Sequence, residues 1–151
     1  KRYSEEKIKR NPELRGKDIS SMKKSFTRFA RYPVSIFIFA EGTRFTEQKG
    51  ESQNSPFNNL LLPKPGGVGL TLSTMPYINK LIDFSIKYET DKRTFWDFLC
   101  GKMNKATIRV NLIDIPQGLI GGEYSEDTNY RDDVKNWIYD IWEKKDKFLS
   151  S

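Results

Sequence analysis

Histidine is missing from all 151 residues, and cysteine occurs once, at Cys100. A lone cysteine excludes an intrachain disulfide, and with no histidine beside it a zinc or haem site is not expected. No run approaches the roughly 18–20 apolar residues that a membrane-spanning helix needs. No secretory leader is visible either. Apolar residues are sparse at 36%, against 30% charged, but aromatics reach 13%. Each aromatic buries a large area, so a core is attainable, and one folded domain is expected at this length.

Charge is unevenly placed. Residues 1–32 hold 11 Lys and Arg against 4 Asp and Glu, whereas the other 119 residues are nearly balanced within a total of +6. A basic end attracts anionic lipid surfaces or nucleic acid through the same screened Coulomb term. Charge alone leaves both open, along with a plain solvated surface.

Residues 1–17 read as a basic polar segment and residues 18–151 as an α/β part. A helix is expected from Asp18 or Ser20, with Met22, Phe26, Phe29 and Ala30 on one face and Pro33 ending it. Val34 to Phe39 reads as a strand, buried on both faces by its near-continuous apolar character. The polar stretch "EQKGESQNSPFNN" reads as a loop. "PKPGGVGLTLSTM" opens a short helix with Val68, Leu72 and Met75 inward. "LIDFSIKY" is a strand with Leu81, Asp83, Ser85 and Lys87 on one side and Ile82, Phe84, Ile86 and Tyr88 on the other. "ATIRVNLIDI" is a third strand.

Val134, Trp137, Ile138, Ile141 and Trp142 then recur at helical spacing. Asp132 and Asp133 are expected at that helix's start, and Lys144, Lys145 and Lys147 near its end, matching the helix dipole. The two tryptophans read as core anchors. The sum is an α/β sandwich with a mixed or mostly parallel sheet, flanking helices and a carboxyl-terminal amphipathic helix. The first two strands are expected to run parallel through a right-handed crossover. Ligands of such sheets bind beyond the carboxyl ends of the strands, where Glu41 to Arg44 fall.

Arg44 offers a planar fork of donors suited to a phosphate, and it stays charged at any relevant pH. Gly42 permits a sharp turn or a close approach, and Thr43 adds a hydroxyl. Glu41 is expected either to hold Arg44 or to accept from a ligand hydroxyl. The spacing alone favours an ordinary surface Glu–Arg pair ending a strand, since four-residue polar clusters are common.

The string "FAEGTRFTE" closely resembles the Phe-Pro-Glu-Gly-Thr-Arg signature of the glycerolipid acyltransferases, among them the lysophosphatidic acid acyltransferases. "LLLPKPGGVGLTL" is similar to the family's next segment. "NWIYDIWEKKDKFLS" resembles the tails of the lysocardiolipin-acyltransferase-like branch and of bacterial inner-membrane members. "KRYSEEKIKRNPELRGKDIS" is similar to the region before the signature in those bacterial members. The resemblance thus spans nearly the whole chain. It assigns Arg44 to the substrate phosphate, Glu41, Gly42 and Thr43 to the pocket's shape, and Lys64 to a second contact. Ala40 stands where the family often has proline.

The resemblance implies acyl transfer from coenzyme A or acyl carrier protein to a lysophospholipid hydroxyl at an anionic membrane surface. No bound cofactor, metal or nucleic-acid partner is implied. In the family, a His with an Asp four residues on removes the hydroxyl proton. Glutamate titrates near about 4.3 and lysine near about 10.4, both poorly matched to that task. No neighbour pattern activates Cys100. The chain is therefore expected to be the carboxyl-terminal portion of one acyltransferase domain, inactive alone, with the His–Asp block upstream. The intact protein is expected on the cytoplasmic face of a bacterial inner membrane. The alternatives are a non-catalytic anionic-lipid-binding domain and, from another class, a basic nucleic-acid-binding module. A severed half is also expected to expose apolar surface, and Phe57 with Leu60 to Leu62 either to touch a membrane interface or to pack normally.

Overall fold

The amphipathic pattern near the carboxyl terminus forms the longest element of the computed structural model, which describes residues 32–90, 94–103 and 105–151 together with Lys24. Among the described residues the elements are, in chain order, α1 (Glu47–Ser52), α2 (Gly66–Thr74), β1 (Lys80–Tyr88), α3 (Phe95–Leu99), β2 (Ala106–Asp114), a 3-10 turn (Gln117–Leu119) and α4 (Thr128–Ser150). The fold is mixed α/β. The basic segment 1–17 and nearly all of the amino-terminal helix expected from the sequence lie outside the described residues.

Helix α4 buries Val134, Ile138 and Ile141, as its periodicity predicts. Val134 and Ile138 join Val68 and Leu72 of α2 with Ile115, Leu119 and Tyr130 in the core, and Trp137 and Trp142 pack against its rim. The helix starts a turn earlier than the Asp132–Asp133 pair suggests. Asp127 is the N-cap, its Oδ1 accepting from the N–H groups of Asn129 (2.9 Å) and Tyr130 (3.2 Å). A cap of this kind stabilises a helix by about 0.5–2 kcal/mol. The Tyr130 hydroxyl donates to Leu119 O at 2.8 Å, tying α4 to the turn before it.

Helix α2 places Val68, Leu72 and Met75 inward as expected. The Tyr124 ring lies on it so closely that a Cβ at Gly69 would sit within 2.0 Å of that ring. Glycine at this position is what allows the contact.

Among the described residues the sheet has two strands, and they are antiparallel. This corrects the expected mixed or mostly parallel sheet and the expected crossover. The strands read from "LIDFSIKY" and "ATIRVNLIDI" pair with each other, from Lys80↔Asp114 to Tyr88↔Ala106, because the intervening chain turns back and strand polarity follows from that. Val34 to Phe39 has no ladder partner among the described residues and is not a strand, and Phe37 and Phe39 are exposed. Apolar composition gave it the look of a buried strand, but burial needs a second layer, which the described residues do not supply. The expected loop after it contains α1, with Thr46 as N-cap.

The sheet is amphipathic in an inverted sense. The side facing α4 carries Asp83 and Ser85, both buried, and Arg109, whose guanidinium lies 4.0 Å from the Phe148 ring centroid. The other side presents the directly paired residues Ile82 and Leu112, Phe84 and Val110, Ile86 and Ile108. These six are between 45% and 67% exposed.

Candidate functional site

Chain direction changes sharply at Ala40. Gly42 N–H donates to Phe39 O at 3.0 Å, and Gly42 has φ +72°, a left-handed conformation that any side chain would strain. Ala40 is buried, and its carbonyl accepts from the Lys64 N–H at 2.7 Å. This bond stitches the signature turn to the segment leading into α2. It also lays the Lys64 side chain over Gly42, with Nζ 3.6 Å and Cδ 3.7 Å from where a Cβ would be.

A third cation belongs to this turn. Lys49, in α1, donates from Nζ to Thr43 Oγ1 at 3.0 Å and to Arg44 O at 3.3 Å. The sequence reading missed it because it took this stretch as loop. The available signal was Thr46 as a cap with Lys49 on the following turn, since Thr46 Oγ1 accepts from Lys49 N at 3.3 Å. Lys49 thereby fixes the hydroxyl and the carbonyl flanking the Thr43–Arg44 peptide. Arg44 itself is exposed, and it makes no ion pair among the described residues.

Glu41 and Arg44 part company. Burial pushes the Glu41 carboxyl above its ordinary value, against which the Leu61 N–H and the positive charge of Lys145 pull it down. Glu41 therefore faces the protein and buttresses the turn. The expected Glu41–Arg44 pair is absent among the described residues. Two lysines thus reach the turn, Lys64 over Gly42 and Lys49 onto Thr43 Oγ1 and Arg44 O, while Arg44 itself is exposed and the turn's carboxylate is engaged elsewhere. Such a set suits an anion with several acceptor oxygens.

This gives a pH prediction with a definite sign. Between the ordinary glutamate value, near about 4.3, and the raised one, the folded chain binds the Glu41 proton more than the unfolded chain does. The stability contribution therefore falls as pH rises through that window. Glu41→Gln cannot ionise, so its stability relative to the parent chain should increase from pH 4 to pH 7. Paired urea titrations at the two pH values read this, and a constant difference contradicts it.

The two clefts along α4 lie elsewhere. One, of about 690 Å³, is lined by Phe57, Tyr139, Asp146 and their neighbours. The other, of about 530 Å³, is lined by Asp83, Arg109, Asn111, Trp137 and Lys144 among others. Neither of these two is lined by Glu41 to Arg44 or Lys64. Phe57 packs against Tyr139 with centroids 6.0 Å apart, and Leu60 and Leu61 are buried. Of the two readings of that loop, ordinary packing is the observed one. Among the described residues no His, Cys, Asp and Glu cluster suited to a metal occurs. Cys100 is exposed. No helix among them is long and apolar enough to cross a membrane. Comparison with known protein families, with curated proteins and with solved structures found no match to this chain.

Proposed function

We propose that this chain is the acceptor-binding portion of a glycerolipid acyltransferase, holding the phosphate of a lysophospholipid such as 1-acyl-glycerol-3-phosphate. The observation that carries the reading is the Glu-Gly-Thr-Arg turn with Arg44, Lys49 and Lys64 around it and its carboxylate turned inward. In the reaction the acceptor hydroxyl oxygen bonds to the thioester carbonyl carbon and its proton passes to a base. The carbon–sulfur bond then breaks, releasing the thiol of coenzyme A or acyl carrier protein. The chain has no histidine to act as that base, so base and donor site belong to a His–Asp block outside it, and the chain alone is inactive. Its own residues bind and orient the phosphate.

The finer fold reading goes with this function. In an αβα sandwich of the acyltransferase type, a second helical layer covers the outer sheet face, where Ile82, Phe84, Ile86, Ile108, Val110 and Leu112 are exposed. The intact protein acts at the cytoplasmic face of a membrane, as in the bacterial members it resembles. The missing base favours one second reading, an anionic-lipid-binding domain without chemistry.

Arg44→Ala is the test. Loss of a bidentate, charge-assisted contact should weaken monomeric 1-acyl-glycerol-3-phosphate binding by about tenfold or more, with Arg44→Lys intermediate because it lacks the fork. Calorimetry on the full chain reads this. Unchanged affinity in Arg44→Ala defeats the assignment. Turnover on adding the His–Asp block separates the enzyme from the purely binding domain.

A further inference from the structure

Helix α3 presents four large apolar side chains to solvent within five residues. Phe95 is 67% exposed, Trp96 72%, Phe98 63% and Leu99 55%. Soluble surfaces normally scatter such residues singly, and a contiguous patch marks an interaction site. At about 100° per residue the four fall within one arc of roughly 160°, with Asp97 on the opposite side.

The helix is built to hold that arc. Thr94 and Asp97 form a reciprocal capping box, through Asp97 N to Thr94 Oγ1 (3.1 Å) and Thr94 N to Asp97 Oδ2 (3.3 Å). Gly101, at φ +66°, turns the chain out of it. Among the described residues, no sizeable packing contact joins α3 to another helix or strand. The Phe95 and Trp96 rings meet edge-on, 6.1 Å apart.

Charge then selects the occupant. Residues 89–105, which join β1 to β2, carry four basic and three acidic side chains. Lys102 lies 4.0 Å from Asp97 and Lys105 lies 2.7 Å from Glu89, which leaves the connection net positive. Trp and Phe with lysine close by is the composition of side chains that settle at a membrane–water boundary, ring inward and cation at the headgroups.

We infer that α3 is a membrane-contacting knob, its Phe95, Trp96, Phe98 and Leu99 side chains entering the headgroup–acyl boundary of an anionic bilayer. The knob would hold the lipid acceptor's own surface against the protein that carries the cationic turn. The inference builds on the lipid-acceptor reading. Its test uses neither acceptor binding nor acyl transfer, so either can fail alone.

Cys100 follows α3 directly, is exposed and is the chain's only cysteine. An environment-sensitive dye placed there on the full chain reports the knob's surroundings. Phosphatidylcholine–phosphatidylglycerol vesicles should raise and blue-shift its emission, and phosphatidylcholine vesicles much less. In the unlabelled chain tryptophan emission should blue-shift too, because Trp96 is exposed while Trp137 and Trp142 are partly buried. The double variant Trp96→Ser, Phe98→Ser should lower vesicle partitioning by roughly tenfold or more. Its urea midpoint should not change, since both side chains are already in water.

Four results overturn the inference. The chain does not sediment with anionic vesicles, or it sediments equally with neutral ones. The variant partitions like the parent chain, which assigns binding to the basic amino-terminal segment. Dye emission rises with protein concentration in the absence of lipid and the variant abolishes the rise, which makes the occupant a second copy of the chain.

Discussion

Lys145→Met should lower the stability of this chain by about 3–5 kcal/mol, the usual cost of leaving a buried charge without its partner. Lys145 Nζ lies 2.5 Å from Asp83 Oδ1, with the two side chains only 12% and 7% exposed. The ammonium also donates to Phe84 O at 3.2 Å and sits 4.6 Å from the Trp142 ring centroid. Methionine fills the same volume but offers nothing to the Asp83 carboxylate. Ser85 Oγ, at 3.3 Å, would be its remaining donor. The loss is a large share of the roughly 5–15 kcal/mol that keeps a domain folded. A second variant isolates the cause. Adding Asp83→Leu to Lys145→Met removes the stranded charge and should restore most of the stability, because an apolar replacement of a buried pair is often neutral. Urea unfolding with an unchanged slope measures both. If the single variant stays within about 0.5 kcal/mol of the parent chain, as surface substitutions do, Lys145 is not the keystone described here.

That pair also marks what the sequence made legible. The alternation in "LIDFSIKY" separates Asp83, Ser85 and Lys87 from Ile82, Phe84 and Ile86 correctly, yet it does not say which row faces the helix. A one-face rule puts the apolar row inside, whereas here the polar row lies under α4. The deciding fact is the position of Lys145, 62 residues further along the chain, and local periodicity carries no such information. Helix α4 was legible because its apolar stripe repeats over several turns. Its start was not, because the single cap Asp127 outweighs the aspartate pair a turn later. At the candidate site the turn residues stood out by type, with Gly42 at positive φ as expected of a turn glycine. Two things were hidden. Lys49 arrives by way of a six-residue helix too short to show a period, and Glu41 turns toward Leu61 and Lys145 instead of toward Arg44.

Asp146→Ala should cost roughly 2–4 kcal/mol and, on the proposed function, should also weaken phosphate binding at a turn the residue does not touch. Asp146 is a buried carboxylate near the end of α4. Its Oδ2 accepts from Asn58 N at 3.0 Å, and its Oδ1 accepts from Asn59 N at 2.8 Å and Asn59 Nδ2 at 3.3 Å. Hydrogen bonds to a charged group contribute about 1.5–3 kcal/mol each and do not add fully, which sets the range. Two part-buried backbone N–H groups would lose their acceptor, and Asp146→Asn should restore only part of the effect because its amide presents a donor to another donor. From Asn59 the chain runs directly to Leu61, whose N–H steadies Glu41, and to Lys64, whose N–H holds Ala40 O. Loosening residues 58–64 therefore frees the Lys64 side chain from its position over Gly42. Amide exchange should accelerate at Asn58, Asn59 and Lys64 together, and lysophospholipid affinity should fall while Arg44 and Lys49 stay intact. If exchange quickens only at Asn58 and Asn59, the segment does not transmit, and the turn owes its shape to Gly42 and Lys49 alone.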